Sequence, residues 1–136
     1  MSAMNVLFYA VLMSVMGFIY AVFFKSQRQE VGLDIAPDRL HDLLTHKRVV
    51  LVDVRELYEH QEGCIEHSVL IPLATLSADK IPCGKEPIVF YCRSGHRSGY
   101  AVALMAPLMH GRACYSLTGG ILAWRRAGYS VTCGLS

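Results

Sequence analysis

Residues 6–24 read VLFYAVLMSVMGFIYAVFF, nineteen consecutive positions without a charge. As a helix this run would be about 28 Å long at ~1.5 Å per residue, close to the hydrocarbon thickness of a bilayer. Tyr20 lies near one end, where membrane interfaces favour tyrosine. A cleaved signal peptide needs a basic start, a shorter apolar run and small residues at the cleavage site. Residues 1–5, MSAMN, contain no Lys or Arg, and Phe23-Phe24-Lys25 is a poor cleavage context. A helix buried in a soluble core is a third reading, but a chain of 136 residues leaves little to wrap one. The expected organisation is a single-pass transmembrane anchor over residues 1–24, a linker over 25–32 and one domain over 33–136.

Hydrophobic residues make up 53% of the chain and charged residues 18%, a surplus concentrated in that run. Lys25 and Arg28 follow the run and nothing basic precedes it. Positive flanks stay cytoplasmic, so residues 6–24 should lie in the inner or plasma membrane with the domain on the cytoplasmic side. The cysteines point the same way. Cys64, Cys83, Cys92, Cys114 and Cys133 form an odd set with no CxxC pair and no zinc-ligand spacing. Such a set fits a reducing compartment better than a disulfide framework, and no metal or cofactor is expected. The 13 Lys and Arg are scattered, and the net charge is only +2, so no nucleic-acid partner is expected.

From Val31 onward, β-like apolar runs alternate with helical segments. Pro37 opens a helix whose Leu40, Leu43 and Leu44 share one face. Residues 49–52 (VVLV), 69–71 (VLI), 88–91 (IVFY) and 113–117 (ACYSL) read as strands. Residues 98–109 read as a helix that Pro107 kinks or stops, and residues 121–127 as a short one. This alternation predicts an α/β domain with a twisted, mostly parallel sheet flanked by helices. Ligands of such sheets bind beyond the carboxyl ends of the strands, where Cys92 stands.

Residues 92–98 read CRSGHRS, between a buried strand and the start of a helix. The first turn of a helix leaves backbone N–H groups unpartnered, and with the helix dipole they favour negative charge. Gly95 lets the loop curl into a nest of inward N–H groups, and Arg93 and Arg97 add positive charge. Together these favour thiolate over thiol at Cys92, below the free value of ~8.5. The plainer readings are a core cysteine ending a strand, two surface arginines and a solvated His96.

Four stretches together resemble the rhodanese family of sulfurtransferases. They are residues 51–56 (LVDVRE); Gly63 and Ile65 with Ile71-Pro72-Leu73; residues 91–98 (YCRSGHRS); and Gly119-Gly120 with Trp124. They cover the chain from about residue 34 to 134. The resemblance implies that Cys92 is the nucleophile and takes sulfane sulfur from thiosulfate or a persulfide. It then holds that sulfur as a persulfide and yields it to a thiol or cyanide. It implies that backbone amides of Arg93, Ser94, Gly95, His96 and Arg97 bind the transferred sulfur. Arg93 and Arg97 would attract an anionic donor, and Asp53, Arg55 and Ser98 would support the loop. Cys64 stands where many relatives have His, and Val69 and Leu70 replace a small residue and Asn. Cys64 is either a resolving thiol or simply buried. Cys83, Cys114 and Cys133 take the buried reading, with Cys83, beside Gly84 and Lys85, the most exposed.

Two rival functions remain at this point. Cysteine phosphatases of related fold carry a longer loop before their clamping arginine, and usually His where this chain has Tyr91. A docking, sensing or persulfide-carrier module serving a partner protein would need the same loop as the enzyme.

Overall fold

The structure is a computed structural model that describes residues 2–26 and 33–132. Most of the expected linker, and Cys133, lie outside the described residues. Helix α1 (Ala3–Ser26) contains a segment, Ala3–Val22, of mean hydropathy 1.9 with none of it buried. By length and composition it can cross a membrane, a property that an anchor shares with a signal sequence. It runs on through Lys25 and Ser26, so the first two residues assigned to the linker are helical.

Five strands form one sheet: β1 (Leu33–Ile35), β2 (Val50–Asp53), β3 (Val69–Leu70), β4 (Ile88–Tyr91) and β5 (Cys114–Leu117). Their spatial order is β1-β5-β4-β2-β3, and every neighbouring pair is parallel. The helices are α2 (Pro37–Thr45), α3 (Leu57–Glu62), α4 (His96–Met105) and α5 (Gly120–Arg126). Central β4 is buried along its whole length, which is why it reads as a continuous apolar run. Its side chains alternate between two cores. Ile88, Phe90 and Cys92 pack with Ala101, Val102 and Met105 of α4. Val89 and Tyr91 pack with Leu40 of α2 and with Ile121 and Trp124 of α5. Cys92 therefore enters the α4 side of the sheet.

Three elements differ from the sequence reading. β1 appears where only Ile35 stood out; it is an edge strand in which Leu33 and Asp34 are exposed and Ile35 alone is buried. α3 was not expected, because none of its residues is buried and no apolar period marks it. A reciprocal capping box starts it: Glu56 accepts from the Glu59 backbone, and the Glu59 carboxylate accepts from the Glu56 N–H at 3.0 Å. α4 begins at His96, two residues before the expected start, and passes at Ala106 into a short 3-10 turn (Ala106–Leu108) that accommodates Pro107.

The carboxyl end of β2 is fastened by Asp53, which is fully buried. One carboxylate oxygen accepts the Arg55 N–H at 3.0 Å and Nε–H at 2.9 Å. The other meets Arg55 Nη2 at 2.7 Å, His60 Nδ1 at 2.9 Å and the Tyr91 hydroxyl at 3.0 Å. Arg55 Nη2 also donates to the Gly63 carbonyl at 2.8 Å. Burial first, and the Asp53 charge next, push the Tyr91 phenol up, so it remains a donor. This network ties β2, β4, α3 and the chain leading to β3 together beneath the site. A buried ion pair that loses one partner leaves an uncompensated charge. Asp53→Ala is expected to lower stability by about 3–5 kcal/mol in urea unfolding, and a loss below 1 kcal/mol would show that water or rearrangement relieves Arg55.

Candidate active site

Residues 92–95 turn the chain from β4 into α4, with Gly95 at a φ of 107° as the residue before the helix. Left-handed backbone there suits glycine. The turn brings the Gly95 N–H to 3.0 Å from the Cys92 Sγ. The Ser98 hydroxyl, in the first turn of α4, lies 3.5 Å from the same sulfur. The Ser98 oxygen also lies 2.7 Å from the Ser116 hydroxyl and 3.1 Å from the Gly95 carbonyl, so its single proton can be given to that carbonyl or to the sulfur. Both serines are buried.

These contacts set the charge state of the sulfur. Burial pushes the Cys92 thiol up, and hydrogen bonds outweigh it: the Ser98 hydroxyl, then the backbone N–H groups of Ser98, Gly95 and Ser94. The net direction is below the ordinary thiol range. The donors are thus neutral dipoles, and they include one amide, that of Ser98, beyond the expected set. The residue is only 1% exposed.

Helix α5 holds the loop from behind. Its Ile121 N–H donates to the Cys92 carbonyl at 2.9 Å and its Leu122 N–H to the Arg93 carbonyl at 3.2 Å. Gly120 sits at a φ of 61°, and a Cβ there would collide with the Arg93 and Cys92 carbonyls. That close approach is the physical content of the Gly119-Gly120 pair.

The Arg97 guanidinium turns to α3 and grips Glu59 with two bonds, Nη1 to Oε2 at 2.7 Å and Nη2 to Oε1 at 2.8 Å. Those bonds hold the Glu59 carboxyl at about 2, against a smaller opposing effect of burial. Its charge is therefore already met. Arg93, Ser94 and His96 are exposed, and among the described residues no carboxylate pairs with Arg93. Arg93 and Arg125 line a cleft of about 350 Å³ with Arg55, Tyr58, Glu59 and Leu122. A second cleft, of about 520 Å³ beside His41, Trp124 and Tyr129, includes none of residues 92–98.

Asp53 and Arg55 make no hydrogen bond to residues 92–98 among the described residues; they reach the site through Tyr91, the residue before Cys92. Cys64 is buried with its Sγ 3.6 Å from the Thr132 hydroxyl, Cys114 is buried, and Cys83 is exposed. Glu59, His60 and Ser116 escaped the sequence reading. For Glu59 the only local signal was its place three residues after Glu56, the capping-box spacing. Ser116 gave none, since its contact with Ser98 exists only once β5 lies beside β4.

Residues 36–127 match the model of the Rhodanese-like domain. This chain belongs to that family. A protein named Sulfurtransferase from Allochromatium vinosum is 38% identical over 104 residues, covering 75% of this chain and 92% of that one. The uncharacterized protein slr1261 of Synechocystis is 36% identical over 105 residues, 73% of this chain but only 55% of its own length. Among solved structures, a rhodanese-related protein from Thermoplasma volcanium has a TM-score of 0.67 at 30% identity, covering 75% of this chain and 99% of its own. The chain is thus of a family that includes sulfurtransferases.

Removing the Ser98 hydroxyl takes away the side-chain hydrogen bond that favours the Cys92 thiolate. In Ser98→Ala the midpoint of Cys92 alkylation against pH should rise by about one unit, the worth of one hydrogen bond to an ion. An unmoved midpoint would mean that backbone amides alone set it.

Proposed function

We propose that this chain is a sulfurtransferase that carries sulfane sulfur as a persulfide on Cys92. The observation that carries this reading is a buried cysteine whose sulfur receives a backbone N–H at 3.0 Å and sits 3.5 Å from a buried hydroxyl, at the carboxyl end of a central strand. In the first half-reaction the Cys92 thiolate attacks the outer sulfur of thiosulfate. The S–S bond of the donor breaks, and sulfite leaves with the bonding pair. Cys92 is left as a persulfide anion, with its terminal charge facing the amide cradle. In the second, an acceptor thiolate or cyanide attacks that terminal sulfur, and the Cys92 thiolate departs. A persulfide donor enters by the same step with a thiolate as leaving group.

The roles divide accordingly. Cys92 is the nucleophile. Amides of Ser94, Gly95 and Ser98, with the Ser98 hydroxyl, stabilise the negative sulfur. Exposed Arg93 draws an anionic donor toward the loop, and Arg125, lining the same cleft, adds to the field. His96 has no chemical task in this scheme. Cys92 is almost enclosed, which favours an approach led by one sulfur atom.

Phosphatase chemistry fits poorly. The arginine that would clamp a phosphate is tied to Glu59, and only four residues separate it from Cys92. A persulfide carrier serving a partner protein uses the same first half-reaction and differs only in the acceptor. Helix α1 supports placement in a membrane, with the domain on the cytoplasmic face by the flanking charges.

Incubation with thiosulfate should add the mass of one sulfur atom to the Cys92 peptide, with release of sulfite. Cys92→Ser should abolish both while the fold is kept. Sulfite release by that variant within a few-fold of the parent chain would overturn the assignment. For α1, the full chain should sediment with membranes through alkaline carbonate washing and enter detergent; release by the wash would sink the anchor.

A further inference from the structure

The loop carries two arginines, and the structure treats them differently. Arg93 faces solvent. Arg97 is one residue before Ser98, whose hydroxyl touches the Cys92 sulfur, and is clamped in a two-bond pair by Glu59 from α3. A guanidinium within electrostatic reach of the nucleophile would add a full charge to a cradle otherwise built of neutral donors. Glu59 cancels it. We infer that Glu59 is a specificity-determining positioning residue, which masks Arg97 so that the charge at Cys92 is stabilised by dipoles and the anionic donor is drawn by Arg93. This rests on the sulfur-transfer reading for its consequence, though not for its test.

The geometry allows a clean separation of charge from structure. Glu59 has two duties: its Oε2 accepts the Glu56 N–H that caps α3, and the same oxygen accepts Arg97 Nη1. Glutamine keeps an acceptor for the cap and loses the charge. The groups that share the field are Arg97 and Cys92 on the loop, Arg55 and Tyr58 beside Glu59, and Arg93, Glu62 and Arg125 lining the adjoining cleft. Arg97 is pushed up chiefly by its bonds to Glu59, and the Cys92 charge contributes in the same direction, so the guanidinium and the sulfur are within electrostatic reach.

The mask has a functional meaning. A free guanidinium would lower the Cys92 pKa further and, with it, the intrinsic nucleophilicity of the thiolate. A cradle of dipoles holds the thiolate and leaves it more reactive toward the donor sulfur. Masking therefore trades donor affinity for nucleophilicity at Cys92.

The test is a charge cycle on the full chain: Glu59→Gln, Arg97→Gln and the double variant, each checked by circular dichroism for an intact fold. The first readout is the pH midpoint of Cys92 alkylation, which needs no sulfur donor and stands even if sulfur transfer fails. Glu59→Gln should lower that midpoint by about one unit by freeing Arg97. Arg97→Gln should raise it by freeing Glu59, and the double variant should return near the parent value. The second readout is KM for thiosulfate, which should fall several-fold in Glu59→Gln and steepen in its salt dependence. Midpoints that rise in both single variants, stay put, or fail to return in the double would overturn the mask and leave Glu59 a structural clamp. Should Glu59→Gln not fold, the double variant still decides: a midpoint there that stays well above the parent value refutes the inference, because an unmasked Arg97 would have been lost.

Discussion

A sulfur biased toward the thiolate has to be accommodated inside an apolar core. Cys92 packs in the same cluster as Phe90, Ala101 and Val102, where an unpartnered charge would be very costly. The fold solves this by convergence. The carboxyl end of β4 delivers the sulfur, the start of α4 delivers amides and the Ser98 hydroxyl, and β5 delivers Ser116 to hold Ser98. Burial raises the thiol and the donors lower it; the donors win. Every other feature of the site can be understood as protecting that balance.

Peptide planarity explains how α5 takes part without touching the sulfur. A carbonyl and the N–H of the next residue share one plane and point opposite ways. When Leu122 draws the Arg93 carbonyl backward, the Ser94 N–H is turned forward, toward Cys92. The inward nest is thus enforced by bonds on its outer side. Such bonds need the first turn of α5 to lie against the loop backbone, which only a residue without Cβ permits at position 120. The glycine pair and the cysteine are parts of one device.

What could be read from the sequence follows from where information is local. β2, β4 and β5 were legible because buried parallel strands are continuous apolar runs, and the Cys92 loop because strand, glycine and helix start are adjacent in the chain. Edge strand β1 and helix α3 were not, since each exposes most of its side chains and so leaves no period to detect. The site divides the same way. Cys92, Gly95 and Ser98 lie within seven consecutive residues, whereas the Glu59 partner of Arg97 is 38 residues away and Ser116 is 18 residues from Ser98. Arginine type alone announced a charge near the sulfur; only tertiary structure revealed that the charge was already taken.

Helix α3 carries that point further. Six residues with no buried side chain cannot hold a helix in water by packing or by propensity. What holds it is polar: the Glu56–Glu59 cap at one end, His60 on Asp53, and Arg97 on Glu59. The contact that removes a charge from the sulfur's surroundings is therefore also among the few that keep α3 folded. Local stability and the electrostatics of the site share the same oxygen atoms, so neither can drift in sequence without the other.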